Sequence, residues 1–195
     1  MASQQQPQVG DQPPPIIPEK PFPAVHRYIT THSPEGLPTF ATGTPEPVAF
    51  ERSPLGADMF LAWSATAFPA ALAGDADLDV YKAQLADGSE SFASPAGGFL
   101  ARYIDFHPGC APLWHRTRTL DFGVVIEGEL LLELEGGERR ILRKGDSAVQ
   151  RGTNHAWSNP STTEFARVFY VAIDAQAPVV NGEELSESLG AVSHT

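Results

Sequence analysis

His115, Asp121 and His155 are the residues of this chain whose types and spacing could do chemistry. They fall within one stretch. It runs Gly109, five residues, His115-Arg116-Thr117, three residues, Asp121, six residues, Gly128. Then come Gly145-Asp146, Gly152, two residues, His155, three residues and Asn159. Two imidazoles and one carboxylate leave several positions open on an octahedral ion, the arrangement of non-haem Fe(II) oxygenases. On zinc the same three ligands leave room for an activated water. Without a metal, either histidine can act as a general base, with Asp121 orienting it. The plainest alternative is a pair of interior histidines satisfied by neighbouring Thr and Asp groups.

These residues need strands to position them. Side chains alternate between the two faces of a strand. If one strand persists from His115 through Val125, then His115, Thr117, Thr119, Asp121, Gly123 and Val125 share a face. His155, Trp157 and Asn159 share a face of a later strand. Two facing strands of this kind bring His115, Asp121 and His155 together. Thr117 and Thr119 then line the pocket, and Trp157 either stacks on an aromatic substrate or packs in the core. Arg102 sits on a strand of mixed polarity, where it neutralises a substrate carboxylate or pairs with Asp105. Arg116 and Arg118 have the opposite parity and point outward. Cys110 has no neighbouring base to make it a nucleophile.

The surrounding pattern is of short alternating segments with glycine turns. Strands are expected over 99–106, 120–126, 129–134, 139–142, 147–150, 156–158 and 165–173, with earlier ones over 25–31 and 59–64. A short helix is expected near Leu78–Leu85. Strands at this spacing point to an antiparallel barrel or sandwich. Residues 1–23 are rich in Gln and Pro and read as a disordered or extended arm. Residues 24–98 read as N-terminal strands and a loop packing on the barrel, 99–175 as the barrel core, and 176–195 as a peripheral tail.

The 195 residues suffice for one domain with a real core. The 24 acidic against 13 basic residues give a net charge of -11, which argues against a nucleic-acid partner. A lone cysteine excludes an intrachain disulfide and fits a cytoplasmic location. The N-terminal residues do not read as a signal peptide. No apolar run approaches the roughly 20 residues that span a bilayer. No nucleotide-cofactor motif is visible.

The two motifs resemble those of the cupin superfamily of jelly-roll β-barrels. The first cupin motif is Gly, five residues, His-x-His, three or four residues, Glu, six residues, Gly. Gly109, His115 and Gly128 match it, with Thr117 in place of the second His and Asp121 in place of the Glu. The second is Gly, five residues, Pro-x-Gly, two residues, His, three residues, Asn. Gly145, Gly152, His155 and Asn159 match it, with Gln150 in place of Pro and the first gap one residue shorter. The run from His115 to Gly123, with Val149 to Trp157, is similar to a subgroup of small single-domain cupins of microbial secondary metabolism, often labelled oxidoreductases.

The resemblance covers about residues 95–175. It implies an all-β, cupin-type jelly-roll β-barrel with an extended N-terminal arm, and a homodimer. It implies a divalent metal (Fe, Mn, Ni, Cu or Zn) held by at most His115, Asp121 and His155. The function expected is oxidation of a small metabolite, aromatic or polyketide-like. The alternatives are metal-free dehydration, isomerisation or decarboxylation by His acid–base chemistry, and a non-catalytic barrel that binds a small ligand.

Overall fold

The computed structural model describes residues 20–53, 56–87 and 94–190. In chain order the strands are β1 (Thr30–His32), β2 (Pro38–Phe40), β3 (Glu51–Ser53) and β4 (Ala57–Ala65), followed by the helix α1 (Ala76–Asp87). Then come β5 (Phe99–Phe106), β6 (His115–Arg116), β7 (Thr119–Glu127), β8 (Glu129–Leu134), β9 (Arg139–Arg143), β10 (Ser147–Arg151), β11 (His155–Ser158) and β12 (Ala166–Asp174). Three two-residue strands close the series: β13 (Val179–Val180), β14 (Glu183–Glu184) and β15 (Ser188–Leu189).

Two antiparallel sheets carry the fold. The larger has the order β10-β7-β12-β5-β4-β3, the smaller β15-β6-β11-β8-β9. They pack as the two layers of a jelly roll. Phe106, Val125, Val168 and Tyr170 of the larger sheet meet Leu130, Leu142 and Trp157 of the smaller in one buried cluster. The alternation of β7 shows why. Asp121, Gly123 and Val125 point inward, while Phe122 and Val124 point outward and are exposed. Burial of such side chains, at about 25 cal/mol per Å² of apolar surface, drives the two layers together.

The strands expected from alternation all appear from Phe99 onward, and the short helix appears as α1. Three expectations change. The segment 25–31 is not one strand: His26 makes an isolated bridge with Pro47, and the strand proper is β1, paired with β2. The strand from His115 does not persist to Val125. It ends at Arg116, and the chain restarts as β7 in the other sheet. The tail after 176 is not merely peripheral, because β15 pairs with β6, setting Ser188 against Arg116 and Leu189 against His115. Two further contacts hold this tail. Arg116 Nη1 donates to the Ser186 carbonyl at 3.3 Å, and the Arg118 amide donates to Glu187 at 3.0 Å. Pro178 covers Gly152, where a Cβ would lie 2.7 Å from the proline ring.

Of the arm expected over 1–23, residues 1–19 lie outside the described residues. Lys20 and Phe22 pack against the outer face of the larger sheet. There Lys20 Nζ contacts Asp58 at 2.6 Å and Asp105 at 3.1 Å, and Phe22 lies under the Arg167 guanidinium.

Candidate active site

The change of sheet at Thr117-Arg118 determines the geometry of the site. It leaves His115 on β6, where it is the direct register partner of His155 on β11. The two rings lie side by side with centroids 4.4 Å apart. Asp121 is carried instead by β7, in the opposite sheet, where it pairs with Gln150 of β10 and Ala172 of β12. All three line one cavity between the sheets, with Arg102, Thr117, Thr119, Gln150, Trp157 and Tyr170. The rest of the wall is apolar, including Leu100, Ile104, Phe106 and Leu113. The space is about 120 Å³. An engineered cavity of roughly 150 Å³ holds a benzene ring, so this one suits a small molecule.

Both histidines are fixed in the same tautomer. His115 Nδ1 lies 3.0 Å from the Leu113 carbonyl, and His155 Nδ1 lies 2.8 Å from the Thr153 carbonyl. A carbonyl only accepts, so Nδ1 carries the proton and the lone pair of the neutral ring sits on Nε2. Each imidazole is two residues beyond the carbonyl it bonds, so the local turn sets its orientation.

Burial favours the neutral form of both rings. His155 is 2% exposed, and desolvation aided by the neighbouring His115 lowers its pKa to about 4. Desolvation also lowers His115, against the opposing pull of the Leu113 carbonyl and Asp121. Asp121 is shifted upward by burial, against hydrogen bonds from Thr119 and Gln150 and the charge of His115.

Asp121 is held by a polar relay. Trp157 Nε1 donates to Gln150 Oε1 at 2.5 Å, and Gln150 Nε2 donates to Asp121 Oδ2 at 3.0 Å. Thr117 and Thr119 share a hydrogen bond of 2.7 Å at the corner between the sheets. Asp121 Oδ1 is buried and has no hydrogen-bond partner among the described residues.

Sequence parity puts Thr117 and Thr119 on the His115 face and Trp157 on the His155 face, and all three line the cavity, as does Arg102. Arg102 does not pair with Asp105, which lies on the opposite face of β5 in a bidentate pair with Arg167, at 2.6 and 2.8 Å. Asn159 closes a turn, donating to the Phe106 and Glu164 carbonyls and accepting from the Ser161 amide. Cys110 is buried, and burial pushes its thiol up, away from the thiolate a nucleophile needs. Sequence reasoning missed Gln150 and Tyr170. The signal for Gln150 was present, since a glutamine at an inward position of a strand must find a buried partner. Tyr170 reads as one more aromatic in an alternating strand.

The ligand set implied for a metal fits in part. A metal-binding histidine ordinarily donates its second ring N–H to a carbonyl or carboxylate, as both do here. The orphaned Asp121 oxygen also has the right chemistry. Among the described residues, however, no group of three or more His, Cys, Asp or Glu lies close enough to hold one ion. The two imidazoles are adjacent, and Asp121 stands across the cavity on the other sheet. The assembled donor set is therefore two nitrogens, one short of the three protein ligands of a catalytic zinc site.

The cupin domain family matches residues 102–172, which carry both histidine segments. Oryzines biosynthesis cluster protein J of Aspergillus oryzae is 59% identical over 178 residues, covering 91% of this chain and 98% of that protein. This chain belongs to the cupin family. A cupin-domain-containing oxidoreductase of Neurospora crassa is 37% identical over 165 residues, 84% of this chain and 81% of that protein. Among solved structures, an RmlC-like cupin from Shewanella frigidimarina is similar with a TM-score of 0.43 and 17% identity, covering 68% of this cupin and 89% of that chain. Among the described residues no helix is long and apolar enough to cross a membrane.

Proposed function

We propose that this cupin is an enzyme that modifies a small metabolite of a biosynthetic cluster by moving a proton, with His155 and His115 as the acid–base pair. The carrying observation is the buried, Nδ1-anchored pair of imidazoles in a mainly apolar cavity. A base must be unprotonated at the operating pH, and burial keeps His155 neutral well below neutrality. The relay from Trp157 through Gln150 fixes Asp121 opposite the pair, where it orients or receives a substrate hydrogen. Arg102, 5% exposed, lines the same wall, where its Nη1 donates to Met59 Sδ at 3.6 Å. Dehydration, isomerisation and decarboxylation all fit this apparatus. The relatives' names, a biosynthesis cluster protein and a cupin-domain oxidoreductase, support a place in secondary metabolism. A homodimer in the cytoplasm is part of the same proposal.

A second reading is a metal-dependent oxidation, with His115 and His155 as the two adjacent ligands and Asp121 across the cavity from them. It is favoured by the two Nε2 lone pairs and the orphaned Asp121 oxygen. A bound divalent ion would supply Lewis acidity or redox chemistry at the two imidazoles.

Disruption of the gene in its host, followed by mass spectrometry, identifies the metabolite that accumulates, and the purified protein is then supplied with it. An isomer, or loss of water or carbon dioxide, with turnover surviving chelation, supports proton transfer. Loss or gain of hydrogen or oxygen, requiring a metal that elemental analysis finds in the wild type but not in His155→Ala, supports the second reading. On the first reading His155→Ala lowers turnover by about a hundredfold or more while the protein stays folded. Full turnover in that variant contradicts both readings.

A further inference from the structure

Tyr170 Oη and Asp121 Oδ1, both on the cavity wall, are buried polar atoms with no hydrogen-bond partner among the described residues, and they are of opposite kinds. Tyr170 Oη is a donor, and Asp121 Oδ1 is an acceptor while the carboxylate is ionised. Their strands adjoin. Tyr170 on β12 pairs with Gly123 on β7, and Ala172 pairs with Asp121, so Tyr170 and Asp121 are diagonal neighbours on the inner face. Diagonal neighbours on paired strands stand roughly 7–8 Å apart at the backbone, within reach of long side chains on one small ligand.

The fold gives up a side chain to seat this tyrosine. A Cβ at position 123 would lie 2.4 Å from Tyr170 Cε1, so only glycine fits beneath the ring. Trp157 holds its other flank edge-on, with ring centroids 5.6 Å apart. Burial and the negative charge of Asp121 raise the phenol well above its ordinary pKa, so it remains a donor and does not act as a base. A hydroxyl fixed so tightly and left unsatisfied is unfavourable for folding unless a ligand completes it.

We infer that Tyr170 and Asp121 together bind a small hydroxy-carbonyl compound, the carbonyl oxygen accepting from Tyr170 Oη and the hydroxyl donating to Asp121 Oδ1. This rests on the reading of the cavity as the substrate site and names the substrate class. It also gives Tyr170 a role in the proton-transfer reading. A donor on the carbonyl oxygen stabilises the negative charge that builds there when a neighbouring C–H is deprotonated.

Three small molecules of one carbon skeleton separate the two contacts: diacetone alcohol has both groups, methyl isobutyl ketone only the carbonyl, and the tertiary carbinol 2-methylpentan-2-ol only the hydroxyl. Isothermal titration calorimetry should rank diacetone alcohol tightest. Tyr170→Phe should weaken both carbonyl ligands by about threefold to tenfold and leave the carbinol unchanged. Asp121→Asn should remove the advantage of diacetone alcohol over the ketone and leave the ketone unchanged. Equal binding of the three, binding of none at millimolar concentration, or an unchanged ketone affinity in folded Tyr170→Phe overturns the inference. Should Tyr170→Phe fail to fold by near-ultraviolet circular dichroism, the Asp121→Asn ranking decides. Equilibrium binding needs no turnover, so a failed proton-transfer assay leaves this result readable, and the reverse also holds.

Discussion

The two faces of the six-stranded sheet both bury polar groups, and they treat them in opposite ways. On the outer face, Asp58, Asp105 and Arg167 form one cross-strand row over β4, β5 and β12. Each charge there meets an opposite one. Arg167 grips Asp105 with two bonds, Lys20 contacts both carboxylates, and His107 Nε2 lies 2.8 Å from Asp58. Phe22 and Phe50 cover the Arg167 guanidinium at 4.8 and 4.9 Å. On the inner face, Tyr170 Oη and Asp121 Oδ1 have no hydrogen-bond partner among the described residues, and two imidazoles are held neutral with their lone pairs on Nε2. Full satisfaction serves folding, whereas unmet hydrogen-bonding capacity beside an apolar cavity is what a substrate can use.

Titration separates the faces too. Burial alone would raise Asp58, but hydrogen bonds from Lys20 and His107 outweigh it and hold the carboxyl below its usual range. Its contribution to stability is therefore present at neutral pH and lost as the pH falls through the lowered value. His155 is depressed by desolvation, to about 4. Between that value and 6.5 the unfolded chain binds a proton that the folded chain does not, so stability falls as the pH drops through this window. Asp121, raised by burial, acts in the opposite sense, since the folded state holds its proton to higher pH.

The comparison can be broken most severely on the outer face. Asp105→Ala should cost about 3–5 kcal/mol in urea unfolding, because it strands Arg167 as a buried charge. A loss below about 1 kcal/mol would mean that the row does not stabilise the fold. Next in size is the pH effect. Between pH 6.5 and 4 the wild type should lose about 3 kcal/mol relative to His155→Gln, read from urea midpoints in acidic buffers. Parallel curves for the two proteins would mean that His155 titrates normally. Gly123→Ala should cost about 1–3 kcal/mol by pushing Tyr170 off its seat, seen as a thermal shift together with altered near-ultraviolet signal. The smallest effect is expected for Tyr170→Phe. Removing an unpaired hydroxyl should change stability by under about 1 kcal/mol, with a gain as the expected sign. A loss of several kcal/mol would show that the hydroxyl has a structural partner.

Much of the fold was legible because two-residue alternation and glycine turns are local signals. The strands from Phe99 to Asp174 and the inward parity of Asp121, Gly123 and Val125 follow from them. The candidate site was legible to the extent that its residues lie on such strands, and so His115 and His155, expected to converge, line one cavity. What alternation cannot encode is which sheet a strand joins. The break at Thr117-Arg118 sends His115 and Asp121 to opposite sheets, although their spacing reads as one continuous strand. The same limit hid β15, whose two residues pair with β6 through contacts some seventy positions apart in sequence. Arg102 offered two readings, a cavity wall and an Asp105 partner. Pairing across strands decided between them by giving Asp105 to Arg167.

The central claim is that the inner face holds two neutral imidazoles, each protonated on Nδ1 with its lone pair on Nε2. Nitrogen-15 NMR of histidine-labelled protein, taken through an acid titration after chelator treatment, tests it without knowledge of the substrate. The account predicts that His115 and His155 are both Nδ1–H tautomers at neutral pH, and that His155 takes up its proton only near pH 4. An Nε2–H tautomer at either residue, or a His155 midpoint near 6.5, would contradict it.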